Sequence, residues 1–519
     1  MQRTIAGASG RRQVGTTARA TALAAVQALL AGALAAQASP SLPLDDPRLP
    51  FLEYLFLRGD LRDPSPMARP LSTGALLSAL EATPRGSRAA ASTILIDRLR
   101  TSLRLPETDT WWRAGPRIGV DAVTHGGRDP LHPIGDGGLH PFADLRLEAR
   151  FGPGLFVARP TWERRLLEDP DYVPRGISTR PRSPWRFAEA YGSIQTRWIQ
   201  VQYGQQARNW GPAGISGLGL SDWSYPRTEL QVVAGNDRLR VEAFSTQLLG
   251  DSTASGEPVH RYWAGHRFDV GLFRNLRLAF WETVVVAGRS RELEPAYRNP
   301  VILLVFPQFF GREDKQNVLL GGDVQWRPSP GLLVEGQVAL DDWTTDPAVT
   351  YPNRWGVTFG VGGVLGARGT WRARYTTVTV TAYRTADSSE QHVEAGVGLG
   401  RGYPDNEAYI LQTSWLVQPR LLLSPELVVQ RQGAARLTDP YPTGQEAAFL
   451  PTRLSGVIET TARLGLGVIM HAGPVALVGH AGVQRSRNDG HVVGRDATRL
   501  VARMHLRIGT SLSGSLDPS

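Results

Sequence analysis

The 519-residue sequence contains no cysteine, which excludes both disulfides and thiolate metal sites. Beyond residue 40 it also lacks long hydrophobic runs. The longest, VILLVFPQFF at 301–310, has ten residues and contains a proline, whereas a membrane-spanning helix needs about 18. The sequence after residue 40 is therefore not expected to form a helical membrane protein.

The amino-terminal region has the pattern of a secretory signal peptide. Four arginines within residues 3–19 precede the apolar stretch ATALAAVQALLAGALAA, and AQA at 36–38 offers the small residues that a signal peptidase requires. The sequence predicts a signal peptide over residues 1–38, and therefore export. The net charge of +9 favours an anionic partner such as lipid headgroups or acidic polysaccharide, and nucleic acid is not expected for an exported chain.

Residues 39–110 show helical periodicity. Leucines and other apolar residues recur at spacings of three and four in three segments, and Ser72 or Thr73 is a plausible N-cap for the second. The residues predicted to face the apolar side are Leu52, Leu55, Phe56, Leu76, Leu77, Leu80, Ile94, Leu95, Leu99 and Leu103. We predict two or three short helices that form a small compact unit.

After Trp111 the apolar period changes from helical to two. In DLRLEARF, for example, Leu145, Leu147 and Phe151 alternate with charged Arg146 and Glu148. Each strand thus has one face suited to hydrocarbon and one that carries charge, and many strands run nine to fifteen residues, long enough to cross a bilayer when tilted. The predicted strands are 115–124, 141–152, 154–164, 185–194, 197–205, 227–235, 237–247, 260–271, 275–286, 316–327, 331–341, 354–365, 369–383, 408–417, 421–432, 456–470, 475–487 and 496–510.

The links between these strands alternate between short and long. This parity, with an even number of strands, is typical of a bacterial outer-membrane barrel. The sequence therefore predicts an all-β transmembrane barrel of about 18 antiparallel strands over residues 111–510, preceded by the helical unit and followed by a tail at 511–519. Because short turns of such barrels face the periplasm, the helices are expected there and the nine long loops outside the cell. QHVEAGVGLG at 391–400 is assigned to a loop.

Two segments resemble the capsule-assembly outer-membrane proteins of the Wzi type. NWGPAGISGLGLSDWSYP supplies Trp210, Gly211, Pro212, Gly217, Leu218, Leu220, Ser221 and Pro226 of the first motif. LLGGDVQWRPSPGLLVEGQVALDDW resembles the later signature through Asp323, Asp341 and Asp342. The resemblance spans nearly the whole mature chain, although Asn209 stands where the family often has a second aromatic residue.

The resemblance implies a barrel whose periplasmic end is occluded by the helices and a lectin that binds or organises capsular or extracellular polysaccharide at the cell surface. Its implied partners are that polysaccharide, outer-membrane lipid and the capsule export machinery. No enzymatic activity and no cofactor are expected.

Residue chemistry indicates where a sugar polymer would bind. Aromatic rings stack on sugar rings, and amides, carboxylates and guanidinium groups bond to hydroxyls and uronic acids. The third long loop and the paired aspartates of the sixth provide such groups. The candidate ligand-binding residues are Arg208, Asn209, Trp210, Asp222, Trp223, Tyr225, Arg227, Asp341 and Asp342. The alternative for each is a structural role, in which the loop packs on itself and closes the barrel mouth.

Two other functions remain open. The inward faces carry nine arginines, Arg146, Arg150, Arg238, Arg240, Arg372, Arg374, Arg499, Arg503 and Arg507. With the neighbouring carboxylates they are expected to fill the barrel with ion pairs, and the alternative is a cationic channel for anionic solutes. A barrel-embedded hydrolase would need Ser221 beside a histidine. His125, His132 and His140 are too widely spaced for a typical metal cluster and are predicted to be solvated.

Overall fold

The computed structural model describes residues 38–84, 90–172, 183–252, 256–299, 302–305, 316–342, 352–442 and 445–516. Apart from Ala38, the predicted signal peptide over 1–38 lies outside this part of the chain. No helix among the described residues is both long and apolar enough to cross a membrane.

Three helices precede the strands: α1 (Leu49–Arg58), α2 (Thr73–Glu81) and α3 (Ala90–Leu103). Gly59 ends α1 in the left-handed conformation, and the Ser72 hydroxyl caps α2 by accepting a hydrogen bond from the Ala75 N–H. The apolar faces pack together and against three barrel residues, Leu416, Leu422 and Ile469. One predicted core position is wrong: Ile94 is 56% exposed and Ile96 is buried instead. The orientation of α3 about its own axis places the adjacent Leu95 and Ile96 both on the inward face.

Eighteen antiparallel strands in the described residues close into a barrel. In chain order β1 to β18 are Thr110–Val123, Gly138–Phe151, Gly154–Glu163, Trp185–Gln195, Ile199–Gln205, Thr228–Gly235, Leu239–Gln247, Pro258–Phe273, Leu276–Arg289, Gln316–Ser329, Leu332–Asp342, Arg354–Leu365, Gly369–Val378, Asn406–Gln418, Leu421–Gln432, Glu459–Ala472, Val475–Arg487 and Ala497–Gly509. Each strand pairs with its neighbour in sequence, and β18 closes the barrel on β1. The predicted fold is confirmed.

The period-two pattern determines which face of the wall each residue occupies. In β11, Val338 and Leu340 face outward and are more than a third exposed, while Glu335, Gln337 and Asp341, at the alternate positions of the strand, face the interior and are buried. Exposed aromatic residues on the outer wall flank the short turns and occur again near the long loops, as in membrane barrels. They include Trp112, Phe151, Phe156, Trp198, Phe273, Trp326 and Trp415 at one end and Trp185, Phe187 and Tyr409 at the other.

The interior is filled largely by ion pairs. Within the described residues, six of the nine predicted interior arginines pair with carboxylates: Arg146, Arg150, Arg240, Arg372, Arg499 and Arg503. Arg146, for example, contacts Glu189 at 2.8 Å. Such pairing offsets the cost of placing charge inside the wall, and it confirms the predicted ionic filling.

The main boundary error concerns the strand predicted over 369–383. β13 ends at Val378, and the chain then turns into the barrel. Tyr383 lies there with φ 70°; its N–H donates to the Asp341 carboxylate at 2.8 Å and its hydroxyl donates to the Leu218 carbonyl at 2.9 Å. These interior partners draw the segment away from the wall. Residues 391–400 lie in the loop that follows, as predicted.

Candidate ligand-binding cleft at the barrel mouth

The third long loop, residues 206–227, folds into the barrel. Asn209 and Trp210 form a short antiparallel pair with Ala68 and Arg69, which lie between α1 and α2. Trp210 is 1% exposed, packs edge-on against Phe244 at 5.5 Å and donates its indole N–H to Glu242 at 3.4 Å. Two of the candidate residues therefore hold the loop to the amino-terminal segment.

Three more candidates from this loop are also engaged inside the barrel. Arg208 is buried between Glu229 and Glu242 and forms an ion pair with each. Arg227 donates to Glu394 at 2.8 Å, and Tyr225 donates its hydroxyl to Asp169 at 2.6 Å.

The paired aspartates of β11 point in opposite directions. Asp341 is buried and accepts the Tyr383 N–H. The Asp342 side chain is 55% exposed and pairs with Arg354 at 3.0 Å on the rim. Asp341 therefore anchors the seventh long loop, residues 379–405, whereas Asp342 is a surface residue.

The seventh loop also folds inward and packs on the third. Arg261 of β8 donates to the carbonyl oxygens of Ser389, Gln391 and Val393 at 2.6–2.9 Å. His392 is buried against Thr283 and Asn317, and burial, reinforced by Arg261 and Arg354, lowers the pKa of His392 to about 3. The imidazole is therefore neutral at physiological pH. We call the inward-folded third and seventh loops the plug.

Above the plug, half-buried aromatic side chains border a cleft of about 430 Å³. The rings of Trp223 and Tyr403 lie 5.3 Å apart at 73°, and the His132 ring lies 4.5 Å from Tyr403. Gly402 permits this arrangement, because a Cβ at that position would lie 1.9 Å from the Trp223 ring. We call this space the mouth cleft; its lining includes His132, Asp171, Trp223, Tyr403, Arg436, Asp489, Arg495 and Arg499.

Charged groups in the mouth cleft differ in how fully they are paired. Asp489 pairs with both Arg499 and Arg495. Arg436 is exposed, and no carboxylate in the described part of the chain lies within ion-pair distance of its guanidinium. This group is thus available to an external acceptor. Burial raises the pKa of Asp171.

The His132 imidazole contacts the Asp129 carboxylate at 2.6 Å. Burial opposes the charged imidazole, but the Asp129 carboxylate outweighs this effect and raises the pKa of His132. Burial likewise opposes the charged carboxylate, and His132 outweighs it and lowers the pKa of Asp129. His132 therefore keeps its proton to a higher pH than an isolated histidine, and its ring lies against the ring of Tyr403.

A buried carboxylate aligns two of the loops that form the mouth cleft. Asp405, 0% exposed, accepts hydrogen bonds from the Leu454 N–H at 2.6 Å and from the Ser455 hydroxyl at 2.6 Å. It also accepts one from the Ala435 N–H at 3.3 Å. The seventh loop, which carries Tyr403, is thereby fixed to the eighth, residues 433–458, which carries Arg436.

Of the nine candidate residues, only Trp223 lines the mouth cleft. Asp222 is exposed to two interior cavities, and the other seven are buried or on the rim. Sequence reasoning missed Tyr403, Arg436 and His132, which come from three separate loops. The segment GYP at 402–404, a tyrosine between two turn-forming residues, is the one local signal that could have drawn attention to Tyr403.

The histidine and serine hypotheses have different outcomes. His125 and His140 are 2% and 8% exposed, so the prediction that they are solvated is wrong. His125 follows the end of β1, and His140 lies near the start of β2. Within the described residues no group of three or more potential ligands is placed to hold a metal. Ser221 donates its hydroxyl to the Gly400 carbonyl and accepts the Trp223 N–H at 3.1 Å, with no histidine among its described partners.

Comparisons with known proteins show the fold. Neither a protein-family model nor a curated protein sequence matches the chain. Among solved structures, the chain is similar to Wzi, described as an outer membrane protein involved in group 1 capsule assembly in Escherichia coli and a carbohydrate-binding β-barrel. The identity is 16%, the match covers 91% of this chain and 100% of that one, and the TM-score is 0.62.

Two further solved structures match over 78% of this chain. A BenF-like porin from Pseudomonas fluorescens is 10% identical, with 99% of its own chain covered and a TM-score of 0.44. OccAB1 from Acinetobacter baumannii is 11% identical, with 97% covered and a TM-score of 0.45. The match to Wzi, over 91% of this chain and 100% of that one, shows a shared barrel fold.

Proposed function

We propose that this protein is a non-enzymatic outer-membrane barrel that binds capsular or extracellular polysaccharide in the mouth cleft. The observation that carries the proposal is the combination, within one cleft, of half-buried aromatic rings and a guanidinium that no carboxylate of the described residues neutralises. Trp223 and Tyr403 provide the rings, and Arg436 provides the cation.

This set of groups suits an acidic sugar polymer. The C–H face of a pyranose ring packs on an aromatic face, and the planar guanidinium fork binds a carboxylate through two parallel hydrogen bonds. Arg495 is exposed beside Arg436 in the same cleft. A cleft of about 430 Å³ accommodates a few sugar units rather than a whole chain, so a polymer would cross it and continue over the rim.

We place the long loops outside the cell and the helices in the periplasm. Short turns face the periplasm in bacterial barrels of this kind, and the aromatic residues at both ends of the apolar outer wall match the two interfaces of a bilayer. In this orientation the mouth cleft faces the surface polysaccharide and the wall contacts outer-membrane lipid. The solved Wzi structure, described as carbohydrate binding, supports the choice of ligand.

The plug favours binding over conduction. The third and seventh loops cross the interior and bond to each other, as in the contact from the Tyr383 hydroxyl to the Leu218 carbonyl. We therefore expect single-channel conductance of the refolded protein in planar bilayers to be absent or very small. Steady large openings would instead support a channel for anionic solutes.

A binding measurement on refolded protein tests the proposal. Affinity for acidic bacterial polysaccharides is measured on a glycan array and then by titration with the best ligand. Replacing either Trp223 or Tyr403 with alanine is expected to weaken binding about tenfold or more, since stacking area and shape are lost. Trp185→Ala is the matched control, because Trp185 is 63% exposed on the outer wall at the same end of the barrel.

Binding by wild type and Trp185→Ala, with loss in both cleft variants, supports the proposal. Undiminished binding by Trp223→Ala and Tyr403→Ala in a folded barrel would locate the ligand elsewhere. Failure of every acidic and neutral polysaccharide to bind the wild type would remove the proposed function itself.

A further inference from the structure

A second cavity lies inside the barrel, apart from the mouth cleft. It has a volume of about 610 Å³ and lies between α1, the third loop and the inner faces of β13 to β17. Its lining includes Arg372 and Arg374 of β13, together with polar uncharged groups of Thr370, Gln412, Ser414 and Ser424.

The two arginines have many more donors than acceptors. A guanidinium carries five N–H bonds. Among the described residues, Arg372 donates one hydrogen bond to the Ala213 carbonyl at 3.2 Å, and Arg374 donates to the same oxygen. Arg372 and Arg374 are 9% and 7% exposed, and the Nε–H of each is buried without a hydrogen-bond partner among the described residues.

Two carboxylates near the cavity are each paired with an arginine, one of them with Arg372 itself. Glu335 lies 3.7 Å from Arg372, and Glu53 contacts Arg69 at 2.6 Å. No carboxylate in the described part of the chain lies within 4 Å of Arg374.

Four other acids line this cavity without pairing with Arg374. Asp45 pairs with Arg159 at 2.7 Å, and Asp46 pairs with Arg48 at 2.8 Å. Glu426 contacts Arg463 at 3.2 Å. The electrostatic partner of Asp222 is Arg128. Arg374 is thus the cation of this cavity that lacks a direct counter-charge.

We infer that this cavity is a binding site for a small oxyanion, a carboxylate or a phosphate, held by the guanidinium groups of Arg372 and Arg374. A buried cation without a partner is strongly unfavourable, and a planar fork of N–H donors matches the geometry of two oxyanion oxygens. The hydroxyl and amide groups of the lining suit a ligand that also carries hydroxyls, such as a sugar acid. This site is independent of polysaccharide binding in the mouth cleft.

The test uses the refolded full-length protein in detergent. Its thermal midpoint and binding heats are measured with inorganic phosphate, acetate and glucuronate, against chloride at equal ionic strength. An oxyanion is expected to raise the midpoint at millimolar concentration where chloride does not, and the comparison of phosphate with the two carboxylates identifies the preferred class. Arg374→Gln is expected to weaken binding about tenfold or more, and Arg374→Lys to weaken it less, because the charge remains but the fork is lost.

Stability without ligand provides a second readout. In an oxyanion-free buffer, Arg374→Gln is expected to melt at a higher temperature than wild type, since it removes an uncompensated buried charge. Arg420→Gln, at an exposed position in a short turn, is the matched control; it should change neither the midpoint without ligand nor the rise of the midpoint with an oxyanion. Trp223→Ala, in the mouth cleft, should also keep that rise. A lower midpoint for Arg374→Gln with no oxyanion response in wild type would show that Arg374 only holds the Ala213 carbonyl. An equal response to chloride would also overturn the inference.

Discussion

Trp210 and Trp223 belong to the same loop but have opposite environments. Trp210 is 1% exposed, and its indole N–H, its backbone N–H and its carbonyl oxygen all have partners inside the barrel. Trp223 is half-buried, with one neighbour ring and one side against Gly402. Residue type alone therefore does not identify a binding residue. A side chain can bind a ligand only if other residues of the protein do not already occupy its faces and its hydrogen-bonding groups.

The arginines repeat this contrast between the plug and the mouth cleft. Arg208 lies between two buried carboxylates, whereas Arg436 has no carboxylate partner among the described residues and is exposed. Substitutions in the plug are therefore expected to affect stability, and equivalent substitutions in the mouth cleft to affect ligand binding. Four predictions test this division.

The largest effect is expected from Arg208→Met. The substitution leaves Glu229 and Glu242 buried without their shared cation, and the free energy of unfolding should fall by about 3–5 kcal/mol. Urea titration of the refolded barrel, followed by tryptophan fluorescence, measures the loss. Arg436→Met is the matched control and should change stability by less than about 0.5 kcal/mol; similar losses in the two variants would contradict the division.

Trp210→Ala should have the next largest effect on stability. Truncating this buried side chain removes its contacts with Phe244 and leaves a cavity, at a cost of about 3–5 kcal/mol. Trp223→Ala should cost about half as much or less, because part of the ring is already in water. The same urea titration compares the two variants, and a larger loss for Trp223→Ala would show that the contacts of Trp223 hold the plug together rather than leaving the ring available to a ligand.

A smaller difference is expected between the paired aspartates. Asp341→Ala removes the acceptor of the Tyr383 N–H in the interior and should reduce the free energy of unfolding by about 1–3 kcal/mol. Asp342→Ala breaks a pair that is exposed only on the aspartate side, since the Arg354 side chain is 11% exposed and also lies 3.7 Å from Asp341; it should cost less than about 1 kcal/mol. Thermal melts of both variants test this order, and equal losses would mean that Asp341 does not anchor the seventh loop.

The smallest effect concerns pH. Because Asp129 raises the folded-state pKa of His132, the stabilisation from this pair is fully present below about pH 6.5, the ordinary histidine pKa, and is lost as pH rises through the raised value. The charged imidazole also adds positive charge to the mouth cleft, so an acidic polysaccharide should bind about threefold more tightly at pH 6 than at pH 8.5. Titrations at both pH values measure the ratio.

Replacement of the imidazole provides the control for this pH effect. His132→Gln should abolish the difference in polysaccharide affinity between about pH 6 and about pH 8.5. His260→Gln, at an exposed position at the start of β8, should preserve that difference. If the ratio persists in His132→Gln, another group in the mouth cleft is responsible.

Most of the barrel wall could be predicted because the pattern that determines it involves residues close together in the sequence. Alternating side chains point to opposite faces of a strand, so the order of apolar and charged residues in β11 or β18 is enough to assign each residue to lipid or interior. Turn residues between strands determined the short connections in the same way. The prediction failed at residues 379–383, where the local pattern still favours a strand but interior partners remove the chain from the wall.

The candidate site was less accessible to sequence reasoning. Trp223 was identified from its chemistry, but Tyr403, Arg436 and His132 lie far from it and from one another along the chain. No short-range pattern relates a residue of the first loop to one of the eighth. Their proximity depends on how the loops pack around the closed barrel, and on Asp405, which fixes the seventh loop to the eighth.

By itself, the sequence determined a closed barrel of eighteen strands with an apolar exterior and an ionic interior, because strand periodicity and turn chemistry act over a few residues. The tertiary structure alone decided that the third and seventh loops turn inward, that Trp210 is fully buried while Trp223 is half-buried, and that an arginine of β13 lacks a counter-charge. Each of these outcomes depends on which distant groups meet, and the free energy of burying an aromatic ring or a charge is set by those partners.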